Sequence, residues 1–315
     1  MNRKMKIKLL AGLLTAVIAV SCKKYEQFTK DFDYTTAYFA YQNPVRTVFA
    51  NHPEIEIGAV MGGRRDNQSS ETVSYRIAPE LLTNTAIVGS RKFELLPADY
   101  YTISDPGKFT IPAGDVLGRA TLRLNPDKFL ADPKALTNTY ALPLLITETS
   151  LDSVLAGGEG IPRKDYTVIV IKYISEFHGT YYHHGQREKF NPDGSLVDVK
   201  RYVTQQEEQE FIVNRVWNLA TAQANILTTD GQGEFLTGSG RNYGLTLTVS
   251  QDLSVGIADR ATSLIKNVTD LGNSRFDRDK KAFYLNYQFI DAENFRHVMK
   301  DTLYFRNDGL KLGTW

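Results

Sequence analysis

Short runs that alternate apolar and polar residues recur along this chain from about Thr36 onward, and they confine it to β structure. "IEIGAVM", "TVSYRI" and "RATLRLN" alternate with period two, the pattern of a strand with one covered face. "YALPLLIT" and "DYTVIVIKYI" are longer, and the second is apolar enough for a strand covered on both faces. Turn formers separate these runs: Asn43-Pro44, Gly62-Gly63, Asp105-Pro106-Gly107, Pro112-Ala113-Gly114 and Asn125-Pro126. Only "PELLT" and "PDKFLADPKAL" read as helical, and both are short. About seven strands at this spacing predict a β-sandwich over residues 36–175.

A second unit is expected over residues 176–315. "GTYYHHGQREKF" and "SLVDVKRYVT" flank Asn191-Pro192-Asp193-Gly194, a turn with Pro and Gly where turns want them. "EFIVNRVW", "AQANILTTDGQGEFL", "YGLTLTVSQDLSVGIAD", "AFYLNYQFID" and "FRHVMKDTLYFRN" follow. Successive hairpins without crossover helices predict an antiparallel barrel of about eight strands. Residues 261–269 fit a short helix or a strand equally well. The predicted class is therefore mostly β, a sandwich followed by a barrel; the 17 Tyr and 16 Phe, with Thr- and Val-rich runs, favour it.

The amino terminus carries a different signal. Arg3, Lys4, Lys6 and Lys8 precede an uncharged apolar run from Leu9 to Val20, then Ser21 and Cys22. That order is the layout of a bacterial secretory signal, and the run is shorter than the ~20 residues of a membrane-spanning helix. "AVSC" resembles a lipobox, which implies that Cys22 is acylated and becomes the first residue of the exported chain. Each buried lipid methylene contributes about 0.8 kcal/mol, so several acyl chains anchor firmly. Cys22 is the only cysteine, so the folded part has no thiol and needs no disulfide: ~290 residues can bury an ample core. The expected organisation is a signal over residues 1–21 and a lipidated tether over residues 22–35, ahead of the two folded units.

Beyond the signal, 33 basic residues face 36 acidic ones, a net charge of about −3 with no basic stripe. Nucleic acid is not an expected partner.

The first unit also resembles a known family. "RTVF", "IGAVMGGRRDN", "LLPADYYTI", "FTIPAGD", "TLRLN" and "YALPLLIT" follow one another as in the N-terminal domain of uncharacterised Bacteroidetes lipoproteins, a domain of unknown function. The resemblance implies an immunoglobulin-like sandwich. "GTYYHHG" and "FYLNYQF…TLYFRN" resemble the lipocalin-like barrel that follows it in some relatives. The pair implies an outer-membrane lipoprotein facing the cell exterior, encoded in a polysaccharide-utilisation locus. Its implied partners are polysaccharide or oligosaccharide and an outer-membrane importer complex. It supplies no catalytic residues.

Chemistry-bearing motifs are few. His183 and His184 are adjacent on a strand and point to opposite faces, so they cannot converge on one metal. "GSGRNYG" lacks the dinucleotide-binding spacing, and Asp277 and Asp279 lack the rest of a calcium loop. No metal or cofactor is expected. A glycosidase needs two carboxylates at a set separation, which 36 acidic residues neither exclude nor identify. The second unit is shorter than the ~250 residues of a TIM barrel.

A sugar site needs a flat exposed ring beside amide or charged side chains. Trp217 between Arg215 and Asn218, Tyr243 beside Arg241 and Asn242, and Trp315 near the carboxyl terminus are the candidates. Each has a plainer reading: Trp217 shares a strand face with Phe211 and Val213, Tyr243 opens a strand, and Trp315 ends the chain. Tyr181 and Tyr182 alternate, so one ring packs and the other faces out. Asp152–Val154 and Asp301–Leu303 resemble short O-glycosylation sequons. The function expected is non-catalytic glycan binding in support of import; the alternatives are a structural or adhesion module and a small glycoside hydrolase.

Overall fold

The computed structural model describes residues 31–202, 215–238 and 240–315. Cys22, the signal and most of the tether lie outside the described residues. Residues 31–35 already rest on the first module: Phe32 N–H donates to Gly63 O, and Thr35 N–H donates to the Asp152 carboxylate.

The first module is a β-sandwich. One sheet runs Ser153–Val154, Thr36–Tyr38, Glu54–Gly62, Leu117–Leu124, Tyr101–Ile103. The other runs Gly313–Thr314, Pro44–Phe49, Tyr166–Ile174, Tyr140–Thr149, Glu71–Ile77, Lys108–Ile111. Alternation sends Ile57, Ala59, Met61, Val73, Tyr75, Phe109, Ile111 and Leu122 into one core between the sheets.

Tyr166–Ile174 is covered on both faces. Ile169, Ile171 and Tyr173 enter that core, while Val168 and Val170 enter a second cluster on the outer face. "PELLT" supplies the cover there as a short helix, Pro79–Leu82, with Leu81 buried. "PDKFLADPKAL" forms two single turns, Pro126–Phe129 and Pro133–Leu136, capped by the Asn125 and Asp132 side chains.

The carboxyl terminus corrects the expected domain limits. Gly313–Thr314, expected in the barrel, pairs with Pro44 and Val45 at the edge of the sandwich. Apolar cover explains the return: Trp315 packs edge-to-face on Phe93, 4.9 Å between centroids, and its indole N–H donates to Val168 O at 2.7 Å.

The second module is a meander that closes on itself. Gly179–Phe190 pairs with Val216–Gln223, which leads through Ile226–Thr229 and Leu245–Val249 to Val255–Asp259. From the other side Gly179–Phe190 pairs with Arg296–Asn307, which pairs with Ala282–Ile290. Val255 N–H donates to Ser274 O, and Ile257 N–H to the Asp270 carboxylate, which draws the two margins together. Leu196–Tyr202 extends the hairpin of Gly179–Phe190 beyond the barrel. Of residues 261–269, only Thr269 lies in a strand, Thr269–Asp270; the Asp259 carboxylate holds the turn before it by accepting from Asn267 and Val268 N–H.

The barrel is filled rather than hollow. Trp217, Tyr181, Leu219, Leu247, Phe283, Tyr287 and Met299 pack its interior. Gly231 makes room for the indole: a Cβ there would lie 2.3 Å from Trp217 Nε1. Four residues, 175–178, join the modules. Ser175 N–H donates to Thr221 Oγ1, Ala224 packs against the sandwich core, and Arg278 donates twice to Glu176 at 2.7 and 3.1 Å.

Candidate functional site

Strand register decides which side chains meet at the two ends of the barrel. Gly179–Phe190 starts beside the sandwich and runs away from it, so its alternate residues Tyr181, His183 and Arg187 turn inward at increasing distance from the linker. The first levels are sealed. His183 stacks on Trp217 at 4.4 Å, and its Nε2 lies 2.8 Å from Asp301 Oδ1. Tyr287 donates to Asp301 Oδ2 at 2.7 Å and accepts from Gly233 N–H at 2.9 Å. Both carboxylate oxygens of Asp301 are thus engaged within this buried layer.

At the next level the interior opens into a cleft of about 670 Å³ at the end remote from the sandwich. Its walls come from the end of Gly179–Phe190, the loop around Glu234 to Tyr243, the turn at residues 264–267, and the hairpin at residues 290–297.

The cleft has an ionic wall and an aromatic wall. Arg187, with its side chain 9% exposed, donates through both terminal nitrogens, one to Glu234 and the other to both Asp198 oxygens at 2.6 and 2.8 Å. Lys200 Nζ reaches Glu234 Oε2 at 2.6 Å. Burial pushes the Glu234 carboxyl up, but the Lys200 hydrogen bond and the charges of Arg187, Lys200 and Arg215 outweigh it and hold it below its ordinary value. Burial likewise raises Asp291, yet His297 at 2.8 Å and the N–H groups of Phe295 and Glu293 bring it below its ordinary value.

On the aromatic wall, Tyr243 lies 5.3 Å from Phe235, Phe235 lies 6.3 Å from Phe289, and Phe289 stacks on His297 at 4.8 Å. Tyr243, Phe235 and His297 line the cleft, and buried Phe289 packs behind them. A tight turn carries the loop: Gly238 and Arg241 exchange both backbone hydrogen bonds at 2.9 Å. Thr237 Oγ1 pins Tyr243, accepting from its N–H and donating to its carbonyl.

The residues singled out from sequence separate cleanly. Arg241, Asn242 and Tyr243 sit on this loop, with the first two exposed and the ring half-buried; Arg241 and Tyr243 line the cleft. Trp217 is corrected: it is wholly buried under His183 and cannot meet a ligand. Trp315 is also corrected, since it covers the outer face of the sandwich under Arg91 and far from the cleft. His183 is buried, whereas His184 is half-buried outside the barrel against Tyr304. Among the described residues no group of three or more His, Cys, Asp or Glu is placed to hold a metal ion.

Arg187, Glu234, Phe235, Lys266 and His297 were not singled out. The alternation of "FRHVMKD" already places His297, Met299 and Asp301 on one face. Arg187 shares the inward face of Gly179–Phe190, whereas Glu234 and Lys266 are delivered by loops without a period.

A smaller groove of about 350 Å³ lies on the sandwich, lined by exposed Tyr41 with Arg46, Glu56 and Arg119. It lacks the buried ionic layer that shapes the barrel cleft.

Comparisons with known proteins bear on the fold. Residues 32–153 match a family model described as "-like, N-terminal domain". No curated protein matches the chain. A solved protein of unknown function from Bacteroides ovatus is 24% identical, with a TM-score of 0.70 over 89% of this chain and 97% of its own. A second B. ovatus protein of unknown function, and a multidomain protein from the same organism that includes DUF1735, are each 11% identical with TM-scores of 0.42 and 0.41. They cover 89% and 86% of this chain and 97% and 94% of their own. The first supports the same fold across both modules.

Proposed function

We propose that this protein is a non-catalytic glycan-binding lipoprotein of the outer membrane, with the sandwich as support and the remote cleft of the barrel as the binding site. One observation carries the reading: a ring surface of Tyr243 and Phe235 faces a cleft edged by Arg241, Lys189, Lys266, Asn267 and Glu293. Sugar rings present C–H faces that pack on aromatic planes, and their hydroxyls need the donors and acceptors that such a rim supplies.

The carboxylates favour binding over hydrolysis. A glycosidase of the common type keeps one carboxyl protonated by raising its pKa. Glu234 and Asp291 are held the other way, below their ordinary values, by the hydrogen bonds and charges around them.

In this reading acylated Cys22 holds the chain at the membrane, with the sandwich nearest the anchor and the cleft facing outward, and captured glycan passes to an import system. Affinity electrophoresis and a glycan array on the purified chain test the binding. Retention by one glycan class is expected, with Tyr243→Ala weakening it about two- to twelvefold, the range of an aromatic contact worth about 0.5–1.5 kcal/mol. Unchanged affinity in that variant would move the site elsewhere. Release of reducing sugar would replace binding with hydrolysis.

A further inference from the structure

The charges at the cleft are unevenly paired. Arg187, Glu234, Asp198 and Lys200 neutralise one another through the contacts described above, and Asp291 is hydrogen-bonded to His297. Three cations remain along the cleft without a carboxylate partner among the described residues. Lys189 Nζ lies over the Phe295 ring at 3.7 Å. Lys266 Nζ is fixed by the carbonyls of Arg260 and Ala261 at 2.7 and 2.8 Å, which hold the ammonium in place without cancelling its charge. The exposed Arg241 guanidinium stands beside Tyr243. Against these three stand two lining carboxylates without a lysine or arginine partner among the described residues, Asp291 and Glu293. Such an excess persists inside a cleft, whose low-dielectric walls focus the field.

We infer that the cleft takes an anionic saccharide, one whose sugar ring packs on Tyr243 and Phe235 while a carboxylate or sulfate ester is held between Arg241, Lys266 and Lys189. The inference rests on the glycan-binding reading and narrows it to a substrate class. Arg241 can meet either group with two parallel N–H donors, and the lysines act as point charges. Uronate and sulfate ester share this chemistry.

Affinity electrophoresis of the whole chain separates the possibilities, with polygalacturonate as a carboxylate polymer, dextran sulfate as a sulfate polymer, and dextran and galactomannan as neutral ones. Retardation by a charged polymer and by neither neutral one is expected, and the polymer that acts identifies the group. Binding should fall at least about tenfold as salt rises from about 0.05 M to about 0.5 M, because the contact is partly exposed and screened. Arg241→Glu lies on the surface and should abolish the retardation with an unchanged melting curve; Lys189→Gln should reduce it.

Retardation by the neutral polymers alone, or charged-polymer binding that Arg241→Glu leaves intact, overturns the anionic assignment and leaves glycan binding standing. Retention by none of the four, nor by any glycan on an array, overturns both.

Discussion

The Glu234 carboxylate sits between two cations at the neck of the cleft, and its ionisation is tied to the fold. Its folded-state pKa is depressed, so it stabilises the protein above the ordinary glutamate value of about 4.3, and that contribution disappears as pH falls through the lower folded value. Glu234→Gln should therefore melt at lower temperature than the parent at neutral pH, and the gap should close as pH drops below about 4. Thermal melts across pH measure it; a constant gap would mean that the carboxylate contributes through shape alone. The inward register of Arg187 could be read from "GTYYHHGQREKF", since alternate residues share a face. Its partner Glu234 could not, because the loop that delivers it has no period and lies 47 residues away.

Among the elements, the strands with one covered face were the most legible. "TVSYRI" and "RATLRLN" bury alternate residues as their spacing implies, and "DYTVIVIKYI" is covered twice. Trp217 follows the same rule, and its alternation with Leu219 marks it as core. The short terminal strand was illegible: two residues have no pattern, and the partner Pro44 stands 270 positions earlier. Its anchor is Trp315, half-buried, hydrogen-bonded through the indole and flanked by Phe93 and Arg91. Trp315→Ala should lower stability by about 1–3 kcal/mol, less than the ~3–5 kcal/mol of a fully buried tryptophan. Urea denaturation reads this directly, and a change under about 0.5 kcal/mol would make the strand a passive tail. Glycan affinity should not change.

For the whole molecule, the order of the chain from sandwich to cleft arranges the parts. The described chain begins on the sandwich, the short linker leads into the barrel, and the cleft opens at the barrel's far end. If Cys22 carries the lipid, Cys22→Ser should move the protein from the membrane fraction to the soluble fraction. Intact-mass spectrometry of the parent should show cleavage before Cys22 and an acyl mass on it; an unmodified, uncleaved amino terminus would remove the anchor from the proposal.

The Gly313–Thr314 pairing has a consequence for how the protein is born. A chain synthesised amino-terminus first could assemble most of the sandwich early, yet the edge at Pro44 stays open until the entire barrel has emerged. Contacts so distant in sequence form slowly, and an uncovered sheet margin invites strands from neighbouring chains. The interval between completion of the two modules is thus the period when this protein is most exposed to aggregation.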